Sequence, residues 1–195
     1  MLKYNDLTPE ERDEYLDIVI KESGRLAALA TNVLNLSKVE NQTILSDKHL
    51  FNLGEQVRRS ILLLEPKWEQ KKLSFSADIL DVRCVGNEEL LSQVWLNLID
   101  NAVKFTPEGG KISVKLRPEK DRVKFVIRDS AEGISPDLVV RIFDKFYQAD
   151  ESHATEGNGL GLTLAEKIIK LHGGGIECKS KRGEGTEFTV MLPLK

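Results

Sequence analysis

Apolar positions in the first forty residues follow a helical period. Leu16, Val19, Ile20, Leu26, Leu29, Ala30, Val33, Leu36 and Val39 fall on one stripe. Val19, Leu26 and Val33 are spaced by a heptad, as are Leu29 and Leu36, so the stripe is heptad-like. Thr8-Pro9-Glu10-Glu11 supplies a start: Thr8 can cap, Pro9 suits the first helical position, and Glu11 completes a capping box. A helix over residues 9–40 would be roughly 48 Å long. No nearby segment offers it an equal partner, so its stripe has to be covered by another chain or by a segment outside this one. An ordinary amphipathic domain helix is the other reading. Residues 41–48 are polar and read as a hinge.

From His49 onward the period alternates. Leu53–Lys71 has a helical pattern, Leu73–Leu80 alternates like a strand, and Val82–Val85 is a short strand. Glu88–Phe105 reads as a strongly apolar helix. Lys111–Leu116 and Arg122–Arg128 predict a hairpin. Pro136–Phe143 and Leu160–His172 are helical, and Ile176–Ser180 with Glu187–Leu192 predict a second hairpin turning at Arg182–Gly185. Neighbouring strands with helices between them predict an α+β fold. The expected architecture is a two-layer α/β sandwich, one mixed sheet covered on one face by helices and preceded by the long N-terminal helix. The regular βαβ alternation of a dinucleotide-binding fold is absent.

Composition narrows the function classes. With 195 residues and 22.0 kDa there is room for one good domain plus a remainder. A 41% hydrophobic and 30% charged chain has the balance of a globular protein. No apolar run approaches the ~18 residues that span a bilayer, and Met1 opens a polar segment without a signal peptide. The expectation is a cytoplasmic module making no membrane contact of its own. Lys plus Arg number 28 against 31 Asp plus Glu, a net charge of −3, which argues against nucleic-acid binding by bulk charge. Cys84 and Cys178 form no CxxC or Cys/His cluster and read as reduced core thiols.

Four local constellations carry candidate chemistry. Asn97, Asn101 and Lys104 share one face of an otherwise apolar helix that also holds Leu91, Val94, Trp95 and Leu98. Two amides and an ammonium suit a metal-bound polyphosphate, since an amide oxygen can enter an octahedral Mg²⁺ shell. A solvated polar face is the plain alternative. Asp129, in Arg128-Asp129-Ser130-Ala131-Glu132-Gly133-Ile134, stands where an apolar strand breaks into a turn. A carboxylate there can accept from a ligand amine, although Asp and Gly end many strands. Gly157-Asn158-Gly159-Leu160-Gly161 precedes an apolar helix and can turn backbone amides toward an anion, or act as a simple flexible turn. It lacks the Lys-Ser/Thr of a Walker loop. Phe143-Asp144-Lys145-Phe146-Tyr147 and the polar stretch to Glu156 read as an anchored lid or as a plain hydrophobic hinge.

In order and context, the four resemble the catalytic and ATP-binding domain of sensor histidine kinases, in the superfamily shared with gyrase, MutL and the heat-shock chaperone ATPases, whose architecture is the Bergerat ATP fold. Asn97–Phe105 followed by Thr106-Pro107 resembles the asparagine box. Asp129–Gly133 resembles the first glycine box, Phe143–Phe146 the phenylalanine box, and Gly157–Gly161 the second glycine box. The likeness runs from about residue 49 to the C-terminus, and the preceding helix resembles the second helix of the family's dimerisation and phosphoacceptor domain. The resemblance implies residues 1–42 as part of that domain, 43–48 as linker and 49–195 as the catalytic domain.

The resemblance also implies roles. Asn101 would ligate Mg²⁺, Asn97 would support the metal and phosphate site, and Lys104 would approach the phosphates. Asp129 would receive the adenine amino group, with Phe105, Gly133, Ile134, Phe146, Gly157, Gly159, Leu160 and Gly161 completing the ATP site. ATP-hydrolysing relatives usually carry a glutamate at the position of Asn97, and an amide cannot act as a general base at neutral pH. That implies an enzyme that holds ATP intact for a histidine to attack. Implied partners are ATP, a phosphoacceptor histidine domain, a response regulator and, through residues 9–40, a homodimeric copy.

Three departures stand out. Ala131 replaces the first glycine of D-x-G-x-G, which is tolerable only at negative φ. Gln148 stands where many relatives carry arginine, leaving Lys145 as the other lid cation near the γ-phosphate. None of His49, His153 and His172 lies in an H-[ED]-x-[KR]-[TN]-P acceptor motif. The first two read as solvated loop residues and His172 as a helix-end cation. The acceptor is therefore expected upstream of Met1, in a longer kinase whose membrane anchoring the sequence leaves open. The alternatives are a superfamily ATPase or serine kinase, and a degenerate nucleotide-binding or dimerisation scaffold.

Overall fold

A computed structural model describes residues 7–41, 45–148 and 159–195. The first helix, α1 (Pro9–Asn41), starts as the sequence predicts: Thr8 N–H donates to Glu11 Oε2 at 2.8 Å and Glu11 N–H to Thr8 Oγ1 at 3.2 Å. There follow β1 (His49–Asn52), α2 (Leu53–Leu63), α3 (Glu65–Gln70), β2 (Ser74–Ile79), β3 (Arg83–Gly86) and α4 (Glu88–Phe105). The remainder is β4 (Lys111–Glu119), β5 (Arg122–Asp129), α5 (Pro136–Val139), α6 (Gly161–Leu171), β6 (Gly175–Lys181) and β7 (Gly185–Pro193). No described helix is long and apolar enough to cross a membrane.

The expected mixed sheet is present, with strand order β2-β4-β5-β7-β6; β2 runs parallel to β4 and every other pair is antiparallel. Its inner face carries Ile112, Val114 and Leu116 of β4, Val123, Phe125 and Ile127 of β5, and Phe188, Val190 and Leu192 of β7, all buried. Period-2 alternation makes this possible, sending Lys115, Lys124 and Glu187 to the other face. Helices α2, α4 and α6 cover the inner face. Trp95 of α4 lies on Phe125 with ring centroids 4.8 Å apart, and its indole N–H donates to Gln56 Oε1 at 2.8 Å. Gln56 in turn donates to Glu88 O at 2.6 Å, so the buried amide ties α2 to the start of α4. An unmatched polar group there would cost about 1–3 kcal/mol.

Four details differ from the sequence reading. The helix expected over Leu53–Lys71 breaks at Leu64, because Pro66 in the first turn of α3 has no N–H to continue the ladder. Val82–Val85 overlaps β3, which lies outside the main sheet and pairs with β1 as a separate two-stranded sheet. α5 ends at Val139 rather than Phe143. The stretch read as a hinge continues α1 to Asn41. Residues 42–44 lie outside the described residues, and Leu45 is buried while Ser46 O accepts from Asn87 Nδ2 at 3.2 Å.

α1 packs its C-terminal turns on α6, burying Leu36 and Val39. Leu16, Val19, Leu26 and Val33 remain exposed. Both cysteines are unpaired, and burial pushes Cys84 up to about 11 and Cys178 up to about 12, so neither is a thiolate at neutral pH.

Candidate functional site

α4 is an amphipathic helix with an unusual second face. Asn87 caps it, accepting the Leu90 N–H at 2.9 Å, and Glu88 and Glu89 favour its first turn. The C-terminal end is held by Lys71, whose ammonium donates to Val103 O, Lys104 O and Thr106 O at 2.9, 2.7 and 2.9 Å. One face goes into the core. The other presents Asn97, Asn101 and Lys104, all half-buried. Among the described residues no group hydrogen-bonds the Asn97 or Asn101 carboxamide. Lys104 Nζ lies 4.6 Å from the centroid of the exposed Phe105 ring.

α6 begins beside this face. A Cβ built on Gly161 would sit 3.0 Å from Asn97 Oδ1, so glycine brings the first turn of α6 close against that carboxamide. The N–H groups of that turn have no intrahelical acceptor and bring the positive end of the helix dipole to the amide-bearing face of α4. Leu160 precedes the helix with a fully buried side chain. Thr163 Oγ1 donates to Phe143 O at 2.9 Å and anchors the aromatic segment to α6.

At the end of β5 the buried Asp129 continues the inner face, opposite Ile112 and Thr186. Its Oδ1 accepts from Ala131 N–H at 3.0 Å and Thr186 N–H at 3.1 Å. Nothing among the described residues donates to Oδ2. Burial pushes its pKa up, opposed by those two backbone hydrogen bonds and by Arg128. The following loop is zipped to the β6–β7 turn. Gly183 N–H donates to Glu132 O at 2.6 Å and Ile134 N–H to Ser180 Oγ at 2.7 Å. Gly133 has φ +80°, and any Cβ there would run into Lys181 O. Ala131 keeps negative φ and a buried side chain, so its methyl group fits where the family pattern has glycine.

Phe146 and Gly159 meet elsewhere. Phe146 N–H donates to Gly159 O at 3.0 Å, and both residues have positive φ, +61° and +65°. The Phe146 ring is exposed, whereas Ile142 is buried and Phe143 packs edge-on against Phe188. Lys145 pairs with Glu40 of α1 at 2.8 Å, which holds the Glu40 carboxyl below its ordinary value. Gly157, Asn158 and His153, with the rest of 149–158, lie outside the described residues.

The histidines correct two expectations. His172 is not a helix-end cation. Its Nδ1–H donates to Ile168 O at 2.7 Å, its Nε2 accepts the Asn87 N–H at 3.1 Å, and burial pushes its pKa down. It is a neutral core residue with both nitrogens engaged. His49 opens β1 instead of lying in a loop, and its pKa is raised by the hydrogen bond to Glu88. Sequence reasoning missed Thr186, Ser180 and Lys71. For the first two, the Gly-Thr alternation of β7 beside the turn was the available signal, while Lys71 left none.

Among the described residues no cluster of His, Cys, Asp or Glu could hold a metal ion. The oxygen donors open on α4 are carboxamides, which fit a hard cation that keeps most of its shell from phosphate and water.

A profile of the histidine kinase-, DNA gyrase B- and HSP90-like ATPases matches residues 86–195. The chain is 31% identical over 183 residues to the heme sensor protein HssS of Staphylococcus saprophyticus, covering 94% of this chain and 39% of that protein. It is 39% identical over 202 residues to drug sensory protein A of Synechocystis, covering 97% and 30%. The chain thus spans well under half the length of these curated relatives. The solved structure of histidine kinase ThkA in complex with response regulator protein TrrA superposes with a TM-score of 0.78 at 28% identity, over 97% of this chain and 53% of that one.

Proposed function

Because the chain belongs to the histidine kinase-, DNA gyrase B- and HSP90-like ATPase family, we propose that it is the ATP-binding catalytic module of a two-component sensor histidine kinase. In this reading it transfers the γ-phosphoryl group to a histidine outside the chain, with a response regulator downstream. The observation that carries the reading is the contact of Asn97 with the amide-bearing N-terminus of α6. It sets an oxygen donor for a cation beside N–H donors for an anion, which is the pair of needs a metal-bound polyphosphate presents.

Asn101 would hold Mg²⁺, with Asn97 supporting it and Lys104 and the amides of Gly159 and Gly161 facing the phosphates. When bound, the ion neutralises charge on the β- and γ-phosphates. Asp129 offers Oδ2 to the adenine amino group, and Gly133 and Ile134 carry the loop beside it. Asn97 cannot take a proton from water, so the module favours ATP kept intact until an imidazole nitrogen attacks. The N–P bond then forms as the bond from the γ-phosphorus to the bridging oxygen breaks, and ADP leaves. The exposed stripe of α1 supports residues 1–42 as part of a dimerisation and phosphoacceptor domain, joined through 43–48 to the catalytic domain 49–195, with residues 9–40 as the dimer contact.

The test supplies γ-labelled Mg-ATP and a separate histidine-bearing acceptor domain. Acid-labile label on the acceptor is expected, and Asn101→Ala should lower its rate on the order of a hundredfold or more without changing the fold. Steady phosphate release without acceptor, or acid-stable label on serine, would assign the module to the ATPases or serine kinases. No Mg-ATP binding at millimolar nucleotide would make it a scaffold.

A further inference from the structure

The carboxyl end of α4 stops abruptly. Val103 O would ordinarily accept from residue 107, but Pro107 has no N–H. Thr106 turns extended at φ −70°, ψ 128°, and the helical ladder ends there. The carbonyls of Val103, Lys104 and Thr106 instead converge on one group, the Lys71 ammonium, at 2.9, 2.7 and 2.9 Å. An ammonium has three N–H groups, so each carbonyl takes one and none is left over. The main chain of the same residue holds the loop that follows, since Lys71 O accepts the Gly109 N–H at 3.0 Å.

Lys67 and Lys72, on either side of Lys71 in sequence, reach Asp100 at 2.6 Å and Glu108 at 2.7 Å, but as exposed ion pairs of little net energy. Lys71 is half-buried and spends its charge on backbone oxygens. Lys104 belongs to the turn so held, and its own carbonyl and that of Val103 are two of the three acceptors. Asn101 stands a turn earlier, inside the helix. Without the ammonium the last turn would have open carbonyls, and the negative end of the helix dipole would lie uncompensated beside any polyphosphate on this face.

We infer that Lys71 is a positioning residue for phosphate binding. Its ammonium closes the carbonyl end of α4 so that Lys104 projects toward the phosphates from a fixed helical turn. Lys71 itself, with every N–H engaged, touches no substrate. The inference rests on the reading of Lys104 as the phosphate-facing ammonium and goes beyond it by naming the group that holds it.

The experiment measures Mg-ATP binding by calorimetry for the wild-type chain, Lys71→Met, Lys104→Ala and the double variant, with urea denaturation to show that each is folded. Lys71→Met keeps the length of the side chain and removes the ammonium. It should weaken Mg-ATP about tenfold, the size of one hydrogen bond to a charged group. It should also speed exchange of the Thr106 N–H, which donates to Ala102 O at 3.1 Å. Added to Lys104→Ala, the same change should weaken binding by no more than about a further twofold, because a residue that acts through Lys104 then has nothing left to position. Lys71→Gln, which keeps donors without the charge, should fall between wild type and Lys71→Met. Lys72→Gln, which removes only an exposed pair, should stay within about twofold of wild type. Full additivity of Lys71→Met with Lys104→Ala, or unchanged Mg-ATP affinity in a folded Lys71→Met, would overturn the role given to Lys71. Absence of Mg-ATP binding by the wild-type chain would instead overturn the nucleotide reading, and unchanged binding in Lys104→Ala alone would remove Lys104 from the phosphates, so the failures are told apart.

Discussion

Helix α1 is 33 residues long and buries only Leu36 and Val39, whereas α4 is 18 residues long and buries Leu91, Val94, Trp95, Leu98, Ile99, Ala102 and Val103. Both carry apolar stripes of helical period. The difference lies in what the rest of the chain offers. α4 is flanked by α2 and α6 and lies on β5, so its stripe is covered within the chain. α1 meets the sandwich in its last turns, where Leu29, Leu36, Val39 and the Asn35–Gln93 hydrogen bond at 3.2 Å make a junction. A stripe therefore reports that a helix has an inside, and the topology decides whether that inside lies in the same molecule. The polar groups follow the same division, since α4, fixed on one face, can hold Asn97 and Asn101 rigidly on the other.

The largest effect should come from breaking the covered helix. Trp95→Ala removes a fully buried ring and orphans Gln56 Oε1, and should cost about 3–5 kcal/mol in urea denaturation. In the dilute, monomeric chain Leu26→Ala on α1 should change the same measurement by no more than about 0.5 kcal/mol, as at other exposed positions. Comparable losses at the two sites would mean that the α1 stripe is covered in solution.

Next in size is a contrast inside the loop after β5. Gly133→Ala must adopt positive φ and drive a methyl group into Lys181 O, and should cost about 1–3 kcal/mol together with nucleotide affinity. Ala131→Gly, where φ is already negative, should cost no more than about 1 kcal/mol, mostly through added freedom of the unfolded chain. If Ala131→Gly instead tightened nucleotide binding strongly, the methyl group would be a steric burden at the site. Denaturation and calorimetry on the pair decide this.

Most of the sheet was legible because β4, β5 and β7 alternate cleanly and each has one face on the core. β1 was not, since His49-Leu50-Phe51-Asn52 buries only Phe51 and its last residue is already the cap of α2. The split between α2 and α3 was legible in Pro66, although the apolar pattern running through it overrode the signal. The site divides the same way. Asn97, Asn101 and Lys104 share a face through local geometry, and Asp129 marks a strand end. Thr186, Ser180 and Lys71 owe their places to strand register or to a side chain reaching across elements, which local spacing does not encode. The residue type of His172 suggested a cation. The burial that keeps it neutral comes from Gly86 and α4, distant in sequence.

His172 gives a smaller, pH-dependent effect. Burial, with Lys48 adding to it, lowers its folded pKa, so the unfolded chain binds the extra proton more readily. The stability it contributes is fully present above the ordinary histidine value of about 6.5 and is lost as pH falls through the folded value. His172→Gln should be less stable at neutral pH yet lose less on acidification than the wild type. Parallel pH profiles for the two would show that His172 is not the titrating group. His49 shifts the opposite way, but it is exposed and its partners, Glu88 and the Asp47 carbonyl, lie apart from His172, so it should leave the difference between these profiles untouched.

The smallest effect should lie at the junction of the two regions. Glu40 and Lys145 are exposed, and solvent screening leaves such pairs little net energy once side-chain entropy is counted. The depressed Glu40 pKa means its contribution is present above the ordinary carboxylate value of about 4.3 and disappears as pH falls through the folded value. Lys145→Ala should therefore leave the unfolding midpoint unchanged at ordinary ionic strength. Leu36→Ala, which empties a buried position where α1 meets α6, should speed amide exchange through the last turns of α1. The opposite ranking, with α1 released by Lys145→Ala and held in Leu36→Ala, would make the ion pair rather than the apolar contact the joint between helix and sandwich. Repeating both variants at high salt separates the cases, because only an electrostatic joint weakens with screening.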